Sequence, residues 1–232
     1  MKVTTDACLF GGWVADEVKR EKLRVKNVLD VGTGTGLLSL MFAQKNSLAT
    51  IDAIEIDEDA YQQARQNVAG SSFVDNVNVI HGDIKTFSFS KKYDLIFSNP
   101  PFYEREIASE DQKKNTAHHH SGLVLEELLP ILKANLADEG EFGLLLPFKR
   151  HKEVKKILVT QNLFVSKIVF VRQSTTHDYF RVMIMGKLRA EGGSETTIDE
   201  ISIWNGQQQY TKEFRQLLKD YYLGLTSQPP LQ

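Results

Sequence analysis

Residues 28–40 read VLDVGTGTGLLSL, a strand-length apolar run that breaks into glycines at 32, 34 and 36 and resumes with apolar residues at helical spacing. A strand that hands over to a helix through so short a turn sends the helix back along the sheet. The next strand then lies parallel to the first. Alternating glycines at the junction allow positive φ and let a ligand reach the backbone with no Cβ in the way. Asp30 stands just before them, and Glu55 lies at the end of the next apolar run, TIDAIEID at 50–57. This stretch commits the chain to a βαβ start with a ligand crevice at the carboxyl ends of the strands.

The alternation continues. A helical stretch from Asp6 to Arg20 precedes the first strand, EDAYQQARQNV is helical, and NVNVIHGD and YDLIFS are strands. After a long polar stretch, Tyr103 to Ser121, come the helix LVLEELLPILKANL, the strand EFGLLLP, the basic helix KRHKEVKKIL and the strands FVSKIVFV and YFRVMIMGKL. No helix separates the last two, so they should pair antiparallel. The expectation is an α/β fold with a mostly parallel, doubly wound seven-stranded sheet and one antiparallel strand near the C-terminal end. Residues 1–189 should form this domain. Residues 190–232 should supply a polar linker, a C-terminal helix (YTKEFRQLLKDYYL) and a disordered tail packed on it.

Composition narrows the classes. A chain of 232 residues, 41% hydrophobic, can bury one core. Its apolar runs are too short for a membrane span, its N-terminus is no signal peptide, and Cys8 is its one cysteine, which together point to the cytoplasm. His118, His119 and His120 are consecutive and cannot all face one ion from a regular helix or strand, so no metal site is expected. A net charge of −2 means that any nucleic-acid binding must gather positive charge locally. The densest cluster is Lys149-Arg150-His151-Lys152 with Lys155 and Lys156, which otherwise reads as a solvated helix face.

Glu55 is placed to accept from ribose hydroxyls, a feature shared with nicotinamide-dinucleotide enzymes, but their fingerprint is G-x-G-x-x-G. Here the spacing is G-x-G-x-G, which weighs against an NAD-dependent oxidoreductase. The pattern D-x-G-x-G-x-G, on this sheet plan, resembles motif I of Rossmann-like S-adenosylmethionine-dependent methyltransferases. By that resemblance Asp83, in HGDI after the third strand, accepts from the adenine amine and Ile84 packs on the ring. Read locally, Asp83 is nearly as well explained as the cap of a short helix, but the ends of the first three strands border one crevice, which favours the ligand role.

The fourth strand ends in FSNPPFYE. Two prolines force the chain out of the sheet, which accounts for Pro100 and Pro101 but not for their neighbours. An exocyclic amine on a base is a poor nucleophile because its lone pair is delocalised into the ring. Two acceptors on its N–H bonds draw the nitrogen toward a tetrahedral shape; the Asn99 side-chain oxygen and the Pro100 carbonyl are suited to this. Phe102 offers a face for the base, an interaction worth about 1–3 kcal/mol in single-strand recognition. The stretch resembles the [D/N/S]-P-P-[Y/F/W] motif of amino-group methyltransferases acting on adenine N6, guanine N2 or a glutamine amide.

MKVTTDACLFGGW, DVGTGTGLLSLMFAQ, IEIDEDAYQQARQN, NPPFY and YTKEFRQLLKDYYL together resemble the bacterial tRNA1(Val) adenine-N6 methyltransferase family over nearly the whole chain. The resemblance implies N6-methylation of adenosine 37, next to the anticodon, with a tRNA anticodon loop as substrate and no obligate protein partner. It assigns S-adenosylmethionine to Lys2, Thr5, Asp6, Asp30, Gly32, Thr33, Gly34, Gly36, Glu55, Ile56, Asp83, Ile84 and Asn99. Catalysis falls to Asn99, Pro100, Pro101 and Phe102, and RNA contact to Phe102, Tyr103, Arg172 and Arg181. Other amino-methyltransferase substrates (ribosomal RNA guanine N2, DNA adenine, release-factor glutamine) belong to families with additional domains. An inactive RNA-binding relative would be expected to have lost the glycine turn or the proline motif, and both are intact.

Overall fold

The computed structural model describes residues 3–21, 23–100, 125–188 and 195–225. Helix α1 (Thr5–Arg20) leads into β1 (Asn27–Val31), α2 (Leu37–Lys45), β2 (Thr50–Glu55), α3 (Glu58–Ala69), β3 (Val77–His81) and β4 (Tyr93–Ser98). Then come α4 (Leu125–Asn135), β5 (Leu136–Pro147), α5 (His151–Thr160), β6 (Phe164–Ser174), β7 (Tyr179–Lys187), β8 (Thr197–Trp204) and α6 (Lys212–Leu218). The strands form one sheet in the order β3-β2-β1-β4-β5-β7-β6-β8. The order reverses direction at β1/β4, where a doubly wound sheet opens its ligand crevice.

The antiparallel strand is β7, paired with β5 on one side and β6 on the other. The expectation of seven strands is corrected to eight: β8 adds to the sheet edge, parallel to β6. It follows directly on the polar linker, in the C-terminal piece where the sequence predicts a helix and no strand. TIDEISIW gives a weak strand signal because its first four residues are exposed; only Ile201 and Ile203 turn inward. The tail 226–232 lies outside the described residues.

Period-two alternation along β1 feeds two cores. Val28 joins the layer beneath α1, α2 and α6, with Leu9, Phe10, Phe42 and Phe214, while Leu29 and Val31 join the layer beneath α4 and α5, with Leu128, Leu132 and Leu158. Asp30 points to the first face, into the base of α2. Burial of both faces explains the near-continuous apolar runs of the central strands.

Candidate active site

The register aligns the carboxyl ends of four strands. Val31 pairs with Ile54 on one side and Ser98 on the other, and Ile54 pairs with Ile80. The next residues along this row are His81, Glu55, Gly32 and Asn99, on strands spaced about 4.8 Å apart. Ser98 Oγ donates to the Val31 carbonyl at 2.8 Å, clamping β4 to β1 immediately before Asn99. Asn99 is half-buried and Pro100 buried. Among the described residues the Asn99 amide has no hydrogen-bond partner. Lys2, Pro101, Phe102, Tyr103 and His118–His120 lie outside the described residues.

The glycine turn has the backbone its sequence requires. Gly32, Gly34 and Gly36 take φ of 70°, 60° and 80°, the left-handed region that side chains disfavour. Gly32 and Thr33 both donate to the Ile54 carbonyl, at 2.9 and 3.1 Å. A Cβ on Gly32 would have no atom within 4 Å, so the turn faces open space.

Glu55 looks back across that space. Its Oε2 accepts from Gly34 N at 2.8 Å, and its Oε1 accepts from Ile56 N and Asp57 N at 2.9 and 3.0 Å. Two carboxylate oxygens offer about four lone-pair sites, so one remains for a further donor. Beside it Ile56 is 46% exposed, which leaves an apolar surface open next to the carboxylate. Asp83 accepts from Lys85 N at 2.9 Å through Oδ1, while its carbonyl receives Thr86 N and Phe87 N. It therefore caps a turn, and its other oxygen faces no donor among the described residues. Ile84 packs on the core beneath α4 and α5.

Asp30 is fully buried, with Oδ2 accepting from Thr33 Oγ1 at 2.6 Å and Ser39 Oγ at 2.7 Å. Its Oδ1 has no partner. Burial pushes the carboxyl up to about 6; the two hydroxyls oppose that rise and the nearby Glu55 charge adds to it. A buried acceptor with no donor carries a cost unless a ligand supplies one.

The N-terminal flank and the cations are also placed. Thr4 is the N-cap residue of α1, with Thr5 and Asp6 in its first turn. Asp6 Oδ2 accepts from Arg181 Nε at 2.7 Å. Burial raises the Asp6 pKa, but hydrogen bonds from Thr4 and Arg181 and the Arg181 charge outweigh it and bring it below the usual range. Arg172 binds Glu200 and Ser202 and lies over the Tyr179 ring. Two residues were not singled out from sequence. Ser39 holds Asp30 from one turn into α2, and its nine-residue separation from Asp30 follows no motif spacing. Phe87, 38% exposed, lies against Gly82 next to the Asp83 turn. Among the described residues there is no three-ligand metal cluster, and no helix long and apolar enough to cross a membrane. A separate cleft of about 640 Å³ lies between α1, α2 and α6, near the opposite edge of the sheet, where Lys45 pairs with Asp16 and Asp220.

Residues 16–159 match the family model described as methyltransferase small domain. A solved structure titled as a predicted O-methyltransferase, from Agrobacterium tumefaciens, shares the fold, with a TM-score of 0.67 at 15% identity over 92% of this chain and 95% of that one. Strand order, glycine turn and family model together define the class: a Rossmann-like S-adenosylmethionine-dependent methyltransferase. The tRNA1(Val) (adenine(37)-N6)-methyltransferase of Christiangramia forsetii is 35% identical over 229 residues, 97% of this chain and 92% of its own. The protein of that name from Dyadobacter fermentans is 36% identical over 225 residues, 96% and 91% of the two chains. The chain belongs to the tRNA1(Val) (adenine(37)-N6)-methyltransferase family.

The residues present fit the cofactor. Open space over Gly32 suits close approach to the backbone, and the orphaned Asp30 Oδ1 matches a cationic donor such as an ammonium. The spare Glu55 site matches a ribose hydroxyl, and exposed Ile56 matches an aromatic ring.

Proposed function

We propose that the protein methylates N6 of an adenine in RNA, adenosine 37 of tRNA1(Val), from S-adenosylmethionine, in the cytoplasm. One observation carries this reading. The register sets Asn99, its amide free of partners among the described residues, one strand away from the open side of Gly32. A methyl donor and an amine acceptor must be this close for a direct transfer.

When bound, S-adenosylmethionine supplies an electrophilic methyl carbon on a sulfonium. Asp30, with Thr33 and Ser39 fixing its Oδ2, would offer the orphaned Oδ1 to the ammonium end. Glu55 would accept from the ribose and Asp83 from the adenine amine, Ile56 and Ile84 would supply apolar contact for the ring, and the backbone of Gly32, Gly34 and Gly36 would hold the cofactor's near side. Thr5 and Asp6, the latter steadied by Arg181, border the site from the start of α1.

On the substrate side, the Asn99 oxygen and the Pro100 carbonyl accept the two N–H bonds of the target amine. They localise its lone pair and take up the positive charge that develops on nitrogen. Positioned acceptors of this kind are worth most when held before the substrate arrives. Clamping of Ser98 to Val31 and the burial of Pro100 hold the start of the motif in that way. Pro101, Phe102 and Tyr103 complete the motif. Arg172 and Arg181 would have to exchange a carboxylate for a phosphate to touch RNA.

The test is methyl transfer from labelled cofactor to unmodified tRNA1(Val) transcript, followed by digestion to nucleosides. The expected product is N6-methyladenosine, lost when adenosine 37 is replaced by guanosine. Label in guanine N2, or label unaffected by the replacement, would refute the assignment.

A further inference from the structure

The cations around the carboxyl edge of the sheet divide into two sets. Arg181 is held by Asp6, Arg172 by Glu200 and Ser202, and Arg150 makes a two-pronged pair with Glu153 at 2.9 Å on each arm. Lys149, Lys152, Lys155 and Lys156 are exposed, and none has a carboxylate partner among the described residues. Of the nearby acids, Glu153 is engaged by Arg150, and Glu126 on α4 also acts on Arg150. In a chain of net charge −2, three unneutralised lysines on α5 and a fourth just before it are a local excess that the fold does not use.

Their placement relates them to the site. β5 pairs with β4 up to Leu144, opposite Ser98, and then continues through Pro147. Those three further residues carry it about 10 Å past the end of β4 at roughly 3.3 Å per residue, so it forms a wall beside Asn99. From the top of that wall α5 returns along the outside of the sheet. Val154 and Leu158 face the core, and Lys152 and Lys156 are successive neighbours on the outer face, with Lys155 beside them. The corner is braced: the Phe148 ring stacks on His151 at 4.5 Å and meets Phe170 and Tyr179 at 5.4 and 5.2 Å. A lysine row on a fixed support suits a polyanion, because little order is lost when it binds.

We infer that the Lys149–Lys156 strip is the phosphate track of the RNA substrate. The backbone leaving the target nucleotide passes over the end of β5 and follows α5, bound through charge without base reading. This inference rests on the RNA-methylation reading above and names the surface that reading lacks.

The test is a fluorescence-anisotropy titration of labelled, unmodified tRNA1(Val) transcript with the full chain between 50 and 200 mM salt. Wild type is compared with the Lys149→Gln/Lys152→Gln/Lys155→Gln/Lys156→Gln variant. Each phosphate contact adds about 0.7–0.9 to the slope of log affinity against log salt, so losing three or four flattens it by about 2–3.5. Across that fourfold salt range, the wild type should lose roughly 20–130 times more affinity than the variant. The pair Lys152→Gln/Lys156→Gln should show about half the change in slope. Lys19→Gln/Lys219→Gln, on exposed positions of α1 and just after α6, should leave the slope unchanged. An unaltered slope in the fourfold variant, or equal flattening by the control, overturns the inference. Methyl transfer by the wild type is scored separately. A lysine-dependent slope without methylated product would leave the track standing and refute the catalytic reading.

Discussion

Replacing Asp30 with Asn isolates the electrostatic cost of the buried carboxylate. In the folded protein its pKa rises from 3.8 to about 6, chiefly through burial. At about 1.4 kcal/mol per pKa unit this corresponds to about 3 kcal/mol. Because the folded pKa is raised, the stabilisation belongs to the protonated form. It is fully present below pH ~4 and is lost as pH rises through about 6. The Asp30→Asn variant keeps an acceptor for Thr33 and Ser39 but never ionises. Its stability relative to wild type should therefore climb by about 3 kcal/mol between pH 4 and pH 8. Urea unfolding of the cofactor-free proteins across that range measures the difference, and contributions from other titrating groups cancel between the two. Adding S-adenosylmethionine should stabilise the wild type more above pH 6 than below it, with most of that gain absent from the variant. Parallel stability curves from pH 4 to pH 8 would refute the assignment of a raised carboxyl to Asp30.

Asn99→Ala should lower kcat about 10²–10³-fold with cofactor affinity unchanged by calorimetry, since one positioned acceptor is lost and the donor site is untouched. Glu55→Ala should weaken cofactor binding by about 1.5–3 kcal/mol. It should also lower the unfolding free energy, because Gly34, Ile56 and Asp57 lose their common acceptor. Gly32→Ala places a side chain at φ 70°, a conformation costing about 1–2 kcal/mol. Denaturant midpoints should fall accordingly, and titration calorimetry should show a further loss of cofactor affinity as the new methyl enters the open space.

The first four strands and the glycine turn were legible because each is written locally, as an apolar run ending in residues with one conformational preference. β8 was not, because half its length is exposed and its inward residues, Ile201 and Ile203, make sense only once β6 and α6 are in place. The strand expected from 141 begins at Leu136 because a register shift between Tyr93 and Leu95 lets β5 pair further back. At the site, the candidacy of Asp30, Glu55 and Asn99 showed in residue type and position. The fates of Arg172 and Arg181 did not, because their carboxylate partners are 28 and 175 residues away in sequence. Sequence favoured Arg172 and Arg181 over the other cations for RNA contact, and only the folded chain pairs both with carboxylates.

The bond between Asp6 and Arg181 also bears on how the chain is made. Helix α1 leaves the ribosome before the strands it packs on, yet its half-buried Asp6 waits 175 residues for the guanidinium that neutralises it, and Glu17 waits 150 for Lys167. A nascent chain interrupted before β7 already contains α2 and the strands that α1 packs on, but it lacks the cation that holds Asp6 and the α6 residues that meet the helix at Gly12. Such fragments should hold α1 by one side only, leaving the side that α6 covers open to proteases until the end of the chain arrives.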